Sequence, residues 1–398
     1  AHDPPGSPPT RPQPRRKSAT IGKVHVGQIV CWELAVALIA AVIGRPASVV
    51  IPVAITAAFV LGITTVRVDQ RWVYQWIGLY LRYLGRRRRW RLAPDGCRGS
   101  TLLGSVARGA STEVFDLDGT AVALICHAGG ITAILEPLPI ESGLIVDSGR
   151  PLPAPTALLP TGEEGEPPIA AQVVVHTAPA PALQADTNAA GTSYRYLGRG
   201  LVPAQRRCLI ALQALRTADG HSDDELRAAL ASAVRRLQRR LRKDGMRVRV
   251  LDRADALTAL LALARLDVPP SGPDVAPAPS FDEIHERWSH WSTGREVQTA
   301  FRLSEWPDLA DPVGREFIDR MAGVSSLATT VALSARRHGE EVEVEAVVRL
   351  TLPRVSAVEP ASDQVAAAAQ LCGARLERLD GEQVFGVAAS LPLGGFLP

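Results

Sequence analysis

The chain has 398 residues, 46% of them hydrophobic, which excludes wholesale disorder and leaves room for about two or three domains. Its 44 lysine and arginine residues nearly balance 41 acidic residues, so the net charge of +3 gives little support to a nucleic-acid-binding protein. The five cysteines are scattered without a C-x-x-C pair, which indicates neither a disulfide framework nor a zinc ribbon.

Two long apolar runs follow a short N-terminal arm. Residues 1–22 are rich in proline and arginine and lack apolar periodicity, so we expect a disordered arm. Residues 26–44 carry one charge, Glu33, and residues 47–66 carry none. As helices these runs would be about 28 and 30 Å long, close to the hydrocarbon thickness of a bilayer. The pattern predicts a transmembrane helical hairpin over residues 23–66.

The placement of positive charge predicts how this hairpin is oriented. Lysines and arginines precede the first run and follow the second, whereas the loop between them has only Arg45. Positive residues favour the cytoplasmic side, so we expect a two-span protein of the cell inner membrane with both termini cytoplasmic. Because a carboxylate within a bilayer is costly, Glu33 is expected either near the interface or against a partner helix.

Residues 67–99 predict an amphipathic juxtamembrane segment. Its aromatic residues fall at helical spacing and suit the headgroup level, and an arginine run follows them to face anionic lipid. A grip on single-stranded nucleic acid is the alternative, but the position beside a membrane span already explains both residue types, so no nucleic acid is expected. The predicted membrane or partner contacts are Glu33, Trp72, Trp76, Tyr80, Tyr83, Arg86, Arg87, Arg88 and Arg89.

From residue 100 to residue 398 the patterning becomes that of a folded domain, with a subdivision point near the Pro-rich stretch 267–280. Three short apolar runs between residues 114 and 135, separated by "DG" and "HAGG", predict a β-meander. Ser222 and Glu225 form a capping box before a long amphipathic helix. The predicted fold class is therefore α+β, an N-terminal two-helix transmembrane hairpin followed by a layered α+β cytoplasmic domain.

The stretch "VFDLDGT", residues 114–120, resembles the nucleophile motif of the haloacid dehalogenase phosphohydrolases. There Asp116 would attack phosphorus and Asp118 would act as acid and base. Such an enzyme also needs a lysine and a further acidic pair, but Lys243 is the only lysine downstream and the pair Asp223–Asp224 precedes it. Since Asp-Gly between two strand-like runs favours a two-residue hairpin, a β-turn is the preferred interpretation.

Other motifs for chemistry are missing from the sequence. It contains no G-x-x-x-x-G-K-[ST] phosphate loop. His285 and His290 lie five residues apart, which is not the spacing that puts two metal ligands on one helical face. We therefore predict no catalytic, cofactor-binding or metal-ligating residue, no cofactor and no enzymatic activity.

Three segments carry a family resemblance: "GQIVCWELAVALIAAVIGRP", "TTVRVDQRWVYQWIGLYLRYLGRRRRWR" and the late "DGEQVFGVAASLPLGG". With them the chain resembles EccE, a membrane component of the actinobacterial type VII (ESX) secretion machinery, from about residue 20 onward. The resemblance implies a non-enzymatic structural subunit with two transmembrane helices. It also implies assembly with subunits of the EccB, EccC and EccD types, of which EccC is the ATPase. The alternative is a membrane-tethered enzyme or regulator, for example a dehalogenase-type phosphohydrolase that uses Asp116 and Asp118.

Overall fold

The computed structural model describes most of the chain in two compact units. The described residues are 13–14, 20–21, 24–68, 71–92, 98–138, 153–160, 165–179, 203–217, 220–266, 283–293, 296–306, 313–338 and 341–396. The helical unit comprises Arg15–Arg87, and the sheet unit comprises Ala1–Pro14 and Arg88–Pro398. Most of the predicted arm, residues 1–22, and all of the predicted linker, residues 267–280, lie outside the described residues.

The elements are numbered along the chain. The helices are α1 Val26–Ala41, α2 Ala47–Thr65, α3 Val73–Gly85, α4 Arg98–Val106, α5 Pro155–Leu158, α6 Asp223–Lys243, α7 Arg253–Ala264, α8 Val313–Ala322, α9 Val358–Gln370 and α10 Gln383–Ser390, with a 3-10 helix at Val355–Ala357. The strands are β1 Gln13–Pro14, β2 Thr20–Ile21, β3 Val24–His25, β4 Arg67–Val68, β5 Arg71–Trp72, β6 Arg89–Arg91, β7 Ser111–Leu117, β8 Thr120–His127, β9 Gly130–Pro137, β10 Ile169–Pro179, β11 Pro203–Leu215, β12 Val248–Val250, β13 Glu283–Glu286, β14 Trp291–Ser292, β15 Val297–Glu305, β16 Ala328–His338, β17 Glu341–Leu352 and β18 Arg375–Arg378.

Helices α1, α2 and α3 make up most of the helical unit. Helices α1 and α2 lie side by side, and the Trp32 indole N–H donates to Thr64 Oγ1 at 3.2 Å. Ala35 and Ala57 are fully buried or nearly so, with 0% and 1% of their surface exposed. Two-residue strands form two short antiparallel pairs. Strand β2 pairs with β3 just before α1, and β4 pairs with β5 between α2 and α3.

The prediction of two membrane spans is wrong. Across the described ranges, no helix combines the length and the apolar character that crossing a membrane requires. The apolar run 26–44 predicts one helix, but α1 ends at Ala41 and residues 42–44 form a turn with Gly44 at φ +84°. Its 16 residues extend about 24 Å, less than the thickness of the hydrocarbon core. The predicted inner-membrane location with two spans and cytoplasmic termini is corrected by the same finding.

The predicted fold class is corrected as well, because the described chain is dominated by one large antiparallel sheet with helices and has no transmembrane hairpin. Fourteen of the described strands form this sheet. Along its main path the order is β6-β13-β14-β15-β17-β16-β10-β11-β9-β8-β7, with β12 on β9, β18 on β15 and β1 on β17. Only β1 pairs in parallel among these described strands. The predicted meander is confirmed, since β7, β8 and β9 are successive antiparallel neighbours.

The sheet unit contains an internal structural repeat. The first repeat runs β7-β8-β9-α5-β10-β11-α6-β12-α7, and the second runs β13-β14-β15-α8-β16-β17-α9-β18-α10. Corresponding strands make the same antiparallel pairs in both repeats. Single hydrogen bonds also correspond: the Leu251 N–H donates to the Ile134 carbonyl, and the Leu379 N–H donates to the Ala300 carbonyl, both at 2.9 Å. The repeats join through β10 and β16, which pair antiparallel.

Helix α6 covers one face of the first repeat, and its start matches the sequence-based prediction. The Ser222 hydroxyl accepts from the Glu225 N–H at 3.3 Å, and the Glu225 carboxylate accepts from the Ser222 N–H at 2.7 Å. The predicted apolar stripe is buried against the sheet: Leu226, Leu230, Val234, Leu237 and Leu241. Helices α4 and α7 contribute to a separate core that includes residues from the opposite face of the same strands.

The stretch "VFDLDGT" forms the predicted β-turn. Leu117 pairs with Thr120 across a two-residue loop, and Asp118 and Gly119 adopt φ values of +54° and +82°. Asp-Gly tolerates these left-handed conformations at both positions, as a type I′ turn requires. The hairpin interpretation is confirmed.

Replacing the N-cap of α6 tests how much the capping box stabilises the sheet unit. Ser222→Ala removes an acceptor from the first turn and is expected to lower the free energy of unfolding by about 1 kcal/mol, as measured by urea denaturation. The control is Ser232→Ala within the same helix, which is expected to change stability by no more than about 0.5 kcal/mol. Equal losses in the two variants would contradict a capping role for Ser222.

Candidate functional site

Helix α3 contains three of the nine predicted contact residues, Trp76, Tyr80 and Tyr83, and is amphipathic. Leu79 and Tyr83 are buried, and the Arg86 guanidinium lies 5.6 Å from the centre of the Tyr83 ring. Tyr80 is 52% exposed, whereas Trp72 and Trp76 are partly buried. The aromatic residues chosen from the sequence therefore differ in exposure along the helix.

The structure adds exposed apolar residues that the sequence reasoning did not single out. On α3 these are Ile77, Leu81 and Leu84. With the predicted Tyr80 they lie three, four or seven residues from Ile77, which places them on one side of the helix. On α1 and α2 more than two fifths of each of the following residues is exposed: Val30, Leu34, Val36, Ile39, Val49, Ile51, Ile55 and Phe59. Glu33 is exposed among them. The signal that could have found the α3 stripe is the same helical periodicity, applied to aliphatic as well as aromatic residues.

The arginine run 86–89 is divided between the two units. Arg86 and Arg87 are the last residues of the helical unit. In the sheet unit, the Arg88 carbonyl accepts from the Glu286 N–H at 2.8 Å, and Arg89 starts β6. The Arg89 side chain donates to His285 Nε2 at 3.4 Å, so this arginine contacts the second repeat.

The two aspartates of "VFDLDGT" hold the turn and the neighbouring helix. Asp116 Oδ1 accepts from the Gly119 N–H at 2.8 Å, and Asp118 pairs with Arg235 of α6 at 2.9 Å. In the part of the chain that the structure describes, no group of three or more His, Cys, Asp or Glu side chains is placed to hold a metal ion.

The seam between β10 and β16 carries buried polar side chains in the middle of the sheet. Gln172 lies opposite Ser334, and His176 lies opposite Thr330. These two polar pairs flank the apolar pair Val174↔Ala332, and all four polar side chains are less than 10% exposed. Buried polar groups of this kind are stable only when hydrogen-bonded, so what covers each pair matters.

The pair Gln172 and Ser334 is covered by the segment after α10, here named the tail (residues 391–396). The Gln172 amide donates to the Ala389 carbonyl at 2.7 Å and accepts from the Gly394 N–H at 3.0 Å. The Leu393 carbonyl lies 3.2 Å from His127 Nε2 and 3.4 Å from Thr132 Oγ1. Since Gln172, His127 and Thr132 belong to the first repeat, the first repeat binds the end of the second.

The close approach of the tail requires glycine. A Cβ atom at Gly394 would lie 1.7 Å from Gln213 Oε1, and one at Gly395 would lie 1.8 Å from Ser334 Oγ. Both glycines have positive φ, +107° and +79°. The tail ends against Arg336, whose guanidinium lies 4.4 Å from the centre of the Phe396 ring.

The second polar pair lies beside a fully buried arginine. Arg349 of β17 donates to Gln298 Oε1 and, at 2.8 Å, to the Leu263 carbonyl at the end of α7. The Gln298 amide donates to the neighbouring Ala264 carbonyl at 2.7 Å. These donors satisfy carbonyls that a helix C-terminus leaves free, and a cation there also suits the helix dipole. The second repeat therefore binds the end of the last helix of the first.

Burial lowers the pKa of Arg349, and burial together with nearby positive charge lowers the pKa of His176. Burial lowers the pKa of Arg349 to about 9, which still leaves the guanidinium charged at neutral pH. Burial, followed by the charges of Arg349, Arg265 and Arg207, lowers the pKa of His176 to about 3. His176 is therefore a neutral imidazole whose Nδ1 lies 2.9 Å from Thr330 Oγ1. The contacts described for His176, Arg349 and Gln298 lie within the sheet unit, which indicates a structural role.

Substitution of the tail glycines tests whether the tail contributes to the fold. Gly394→Ala is expected to lower the free energy of unfolding by about 2–4 kcal/mol, because the new Cβ meets Gln213 in a left-handed conformation. The control is Gly373→Ala, at φ +69° with no neighbouring atom within 4 Å, where about 1 kcal/mol is expected. Urea denaturation measures both, and a smaller loss at Gly394 than at Gly373 would contradict the predicted clash.

The neutral His176 predicts an acid-sensitive contribution to stability. The unfolded chain protonates histidine below its ordinary pKa of about 6.5, whereas folded His176 stays neutral down to about 3. Between about pH 6.5 and about pH 3, unfolding therefore takes up a proton, and the free energy of unfolding falls as the pH drops through this range. Between pH 7 and pH 5 this histidine is expected to account for about 2 kcal/mol, absent from His176→Asn. Identical pH slopes for the two proteins would overturn this assignment.

Comparisons with known proteins point to one family. Residues 202–303 match the family model of EccE, described as a type VII ESX secretion system translocon. No curated protein matches the chain. Two solved structures resemble it at 10% identity: an unknown protein from Galdieria sulphuraria, over 54% of this chain and 98% of that one with a TM-score of 0.16, and CrmK.

CrmK is a flavoenzyme involved in the shunt product recycling mechanism in caerulomycin biosynthesis, and its match covers 67% of this chain and 56% of that one with a TM-score of 0.17. Scores this low support no statement about fold or function.

The family match runs from β11 through α6, β12 and α7 into β15, so it spans the connection between the two repeats. The resemblance to EccE is thereby confirmed over residues 202–303, which match the model of this family of the type VII ESX secretion system.

Proposed function

We propose that the protein is a non-enzymatic structural subunit of a type VII secretion translocon that binds subunits of the EccB, EccC and EccD types. The family match supports a translocon component. The observation that carries the structural role is the exposed apolar surface of the helical unit, defined by the exposed apolar residues of α1, α2 and α3 given above. Exposed apolar patches of this kind mark interaction surfaces.

The expected gain from covering this surface is large. Burying one aliphatic or aromatic side chain contributes about 1.5–3 kcal/mol. Ile55 and Phe59 alone are 65% and 67% exposed one helical turn apart on α2. A partner that covers even a few of these residues can therefore offset the entropy lost on association, which is of the order of 4–15 kcal/mol.

The residues predicted from the sequence add further candidate contacts to this proposal. Trp72, Trp76, Tyr80 and Tyr83 lie on or beside α3, and the arginines 86–89 follow it. We assign all of these except the buried Tyr83 to contacts with partner subunits or with anionic lipid headgroups, because arginine binds both acidic side chains and phosphates. Glu33, exposed on α1, is assigned to a partner contact.

The alternative, a dehalogenase-type phosphohydrolase, gains no support from the described residues. Asp116 and Asp118 would have to present free carboxylates to a phosphate. Instead Asp116 accepts from the turn N–H of Gly119, and Asp118 is paired with Arg235. The strand after the turn returns as β8 along β7, so the motif lies in a hairpin.

Co-purification from mild detergent tests the proposed function. The full chain is expected to copurify with EccB, EccC and EccD type subunits, and Phe59→Glu is expected to reduce their yield by about tenfold or more, since a charge replaces a buried contact. The matched control is Val355→Glu, which changes a 55% exposed valine of the sheet unit. An isolated monomer, or equal losses in both variants, would refute the proposal.

A further inference from the structure

The outermost strand at one end of the sheet, β7, has a backbone edge to which no second described strand is bonded. Among the described residues, β7 pairs with β8 alone. Because Leu117 and Thr120 close a two-residue turn, they form a hydrogen-bonded pair, and bonding alternates along the strand from there. Residues 111, 113, 115 and 117 therefore bond to β8. Thr112, Val114 and Asp116 direct their backbone N–H and C=O groups away from the sheet.

The side chains of this edge combine an apolar residue with a negative charge. Val114 is 60% exposed, and Asp116, two residues further on the same face, is exposed as well. The neighbouring carboxylates are already paired within the chain, Glu113 with Arg227 at 2.8 Å and Asp118 with Arg235 at 2.9 Å. Asp116 forms no ion pair with any residue that the structure describes. Among the described residues the charge at this edge therefore has no cationic partner, which suits a basic group of a partner chain.

The opposite end of the sheet illustrates the chemistry that such an edge accepts. There β13, the counterpart of β7 in the second repeat, is extended by β6, the strand Arg89–Arg91, which lies before both repeats in the chain. Arg91 pairs with Glu283 at 3.3 Å, and Trp90 lies opposite Ile284. At that end, a basic and aromatic strand thus covers an acidic and apolar one. No described strand does the same for β7.

We propose that β7 is a docking edge to which an extended segment of a partner subunit adds as a further strand, with a basic residue opposite Asp116 and an apolar residue opposite Val114. The inference rests on the proposed function, because it names how one of the partner subunits binds. Strand addition to an exposed sheet edge is a recurrent mode of peptide recognition. Pairing of β7 with a second copy is less favourable, because it would place Thr112 opposite Asp116 and leave both Asp116 charges without a cation.

Residue-resolved hydrogen exchange on the purified complex tests this docking. In the free chain, the N–H groups of Thr112, Val114 and Asp116 are expected to exchange fast, and those of Glu113 and Phe115 are expected to exchange slowly because they bond to β8. In the complex, the three outward N–H groups are expected to slow by about tenfold or more, while the inward ones change little. A complex in which the outward N–H groups remain fast overturns the docking edge alone. Absence of any complex overturns the proposed function together with it.

A proline substitution separates strand addition from side-chain contact. Val114→Pro removes an outward N–H that β8 does not use, so the hairpin is expected to persist, as proline does on edge strands. Binding is expected to weaken by about tenfold, whereas the control Val114→Thr, which keeps the N–H, is expected to bind nearly as well as the parent chain. Equal binding by Val114→Pro would exclude a backbone ladder at this edge. The melting temperature of each variant confirms that it is folded.

Two further experiments, which need no proline substitution, test the charge and the identity of the partner segment that docks on β7. Asp116→Asn keeps the acceptor for the Gly119 N–H but removes the charge, and it is expected to weaken binding severalfold at low salt and less at high salt. A photo-crosslinker at position 114 of the full chain identifies the facing segment by mass spectrometry of the purified complex. A basic segment of a partner subunit supports the proposal. An acidic segment, or a second copy of this chain with a matching dimer in light scattering, overturns it.

Discussion

The antiparallel pairing of β10 with β16 is the interaction on which the rest of the sheet unit depends. It joins the two repeats over eight residue pairs, from Ala170↔Arg336 to Thr177↔Thr329. Polar side chains at its centre, Gln172 and His176, would destabilise the fold if they were left without partners. Each is satisfied through residues of the second repeat, which makes the two repeats depend on each other as one structure.

The reciprocal contacts at the ends of the helices extend this dependence. Arg349 and Gln298 of the second repeat bind the last carbonyls of α7, and Gln172 of the first repeat binds a carbonyl of α10. A buried arginine is costly to desolvate, and here the free carbonyls of a helix terminus and the Gln298 amide provide its partners. The tail continues the same principle, because Gly394 allows the backbone to lie directly on a buried amide.

The surfaces left over by this packing suit a subunit of a larger assembly. The helical unit exposes apolar residues such as Ile55 and Phe59, and the sheet ends in β7 with Val114 exposed. In the sheet unit the buried polar groups are used internally: His176 is neutral, and Arg349 holds a helix end. The buried polar groups thus maintain the fold of the sheet unit, whereas the exposed apolar residues of the helical unit and the β7 edge are the proposed partner contacts.

The sequence by itself determined the features that depend on neighbouring residues. The capping box at Ser222, the Asp118–Gly119 turn and the family resemblance were all readable because their signals lie within a few residues or in short motifs. Apolar length alone predicted two membrane spans, whereas no described helix combines the length and apolar character that a span requires. For the first run, length alone also missed the end of α1 at Ala41. Only the tertiary structure decided the repeat, the seam and the free edge, since pairs such as Gln172↔Ser334 join residues far apart in the chain, and corresponding positions such as Ile134 and Ala300 differ in size.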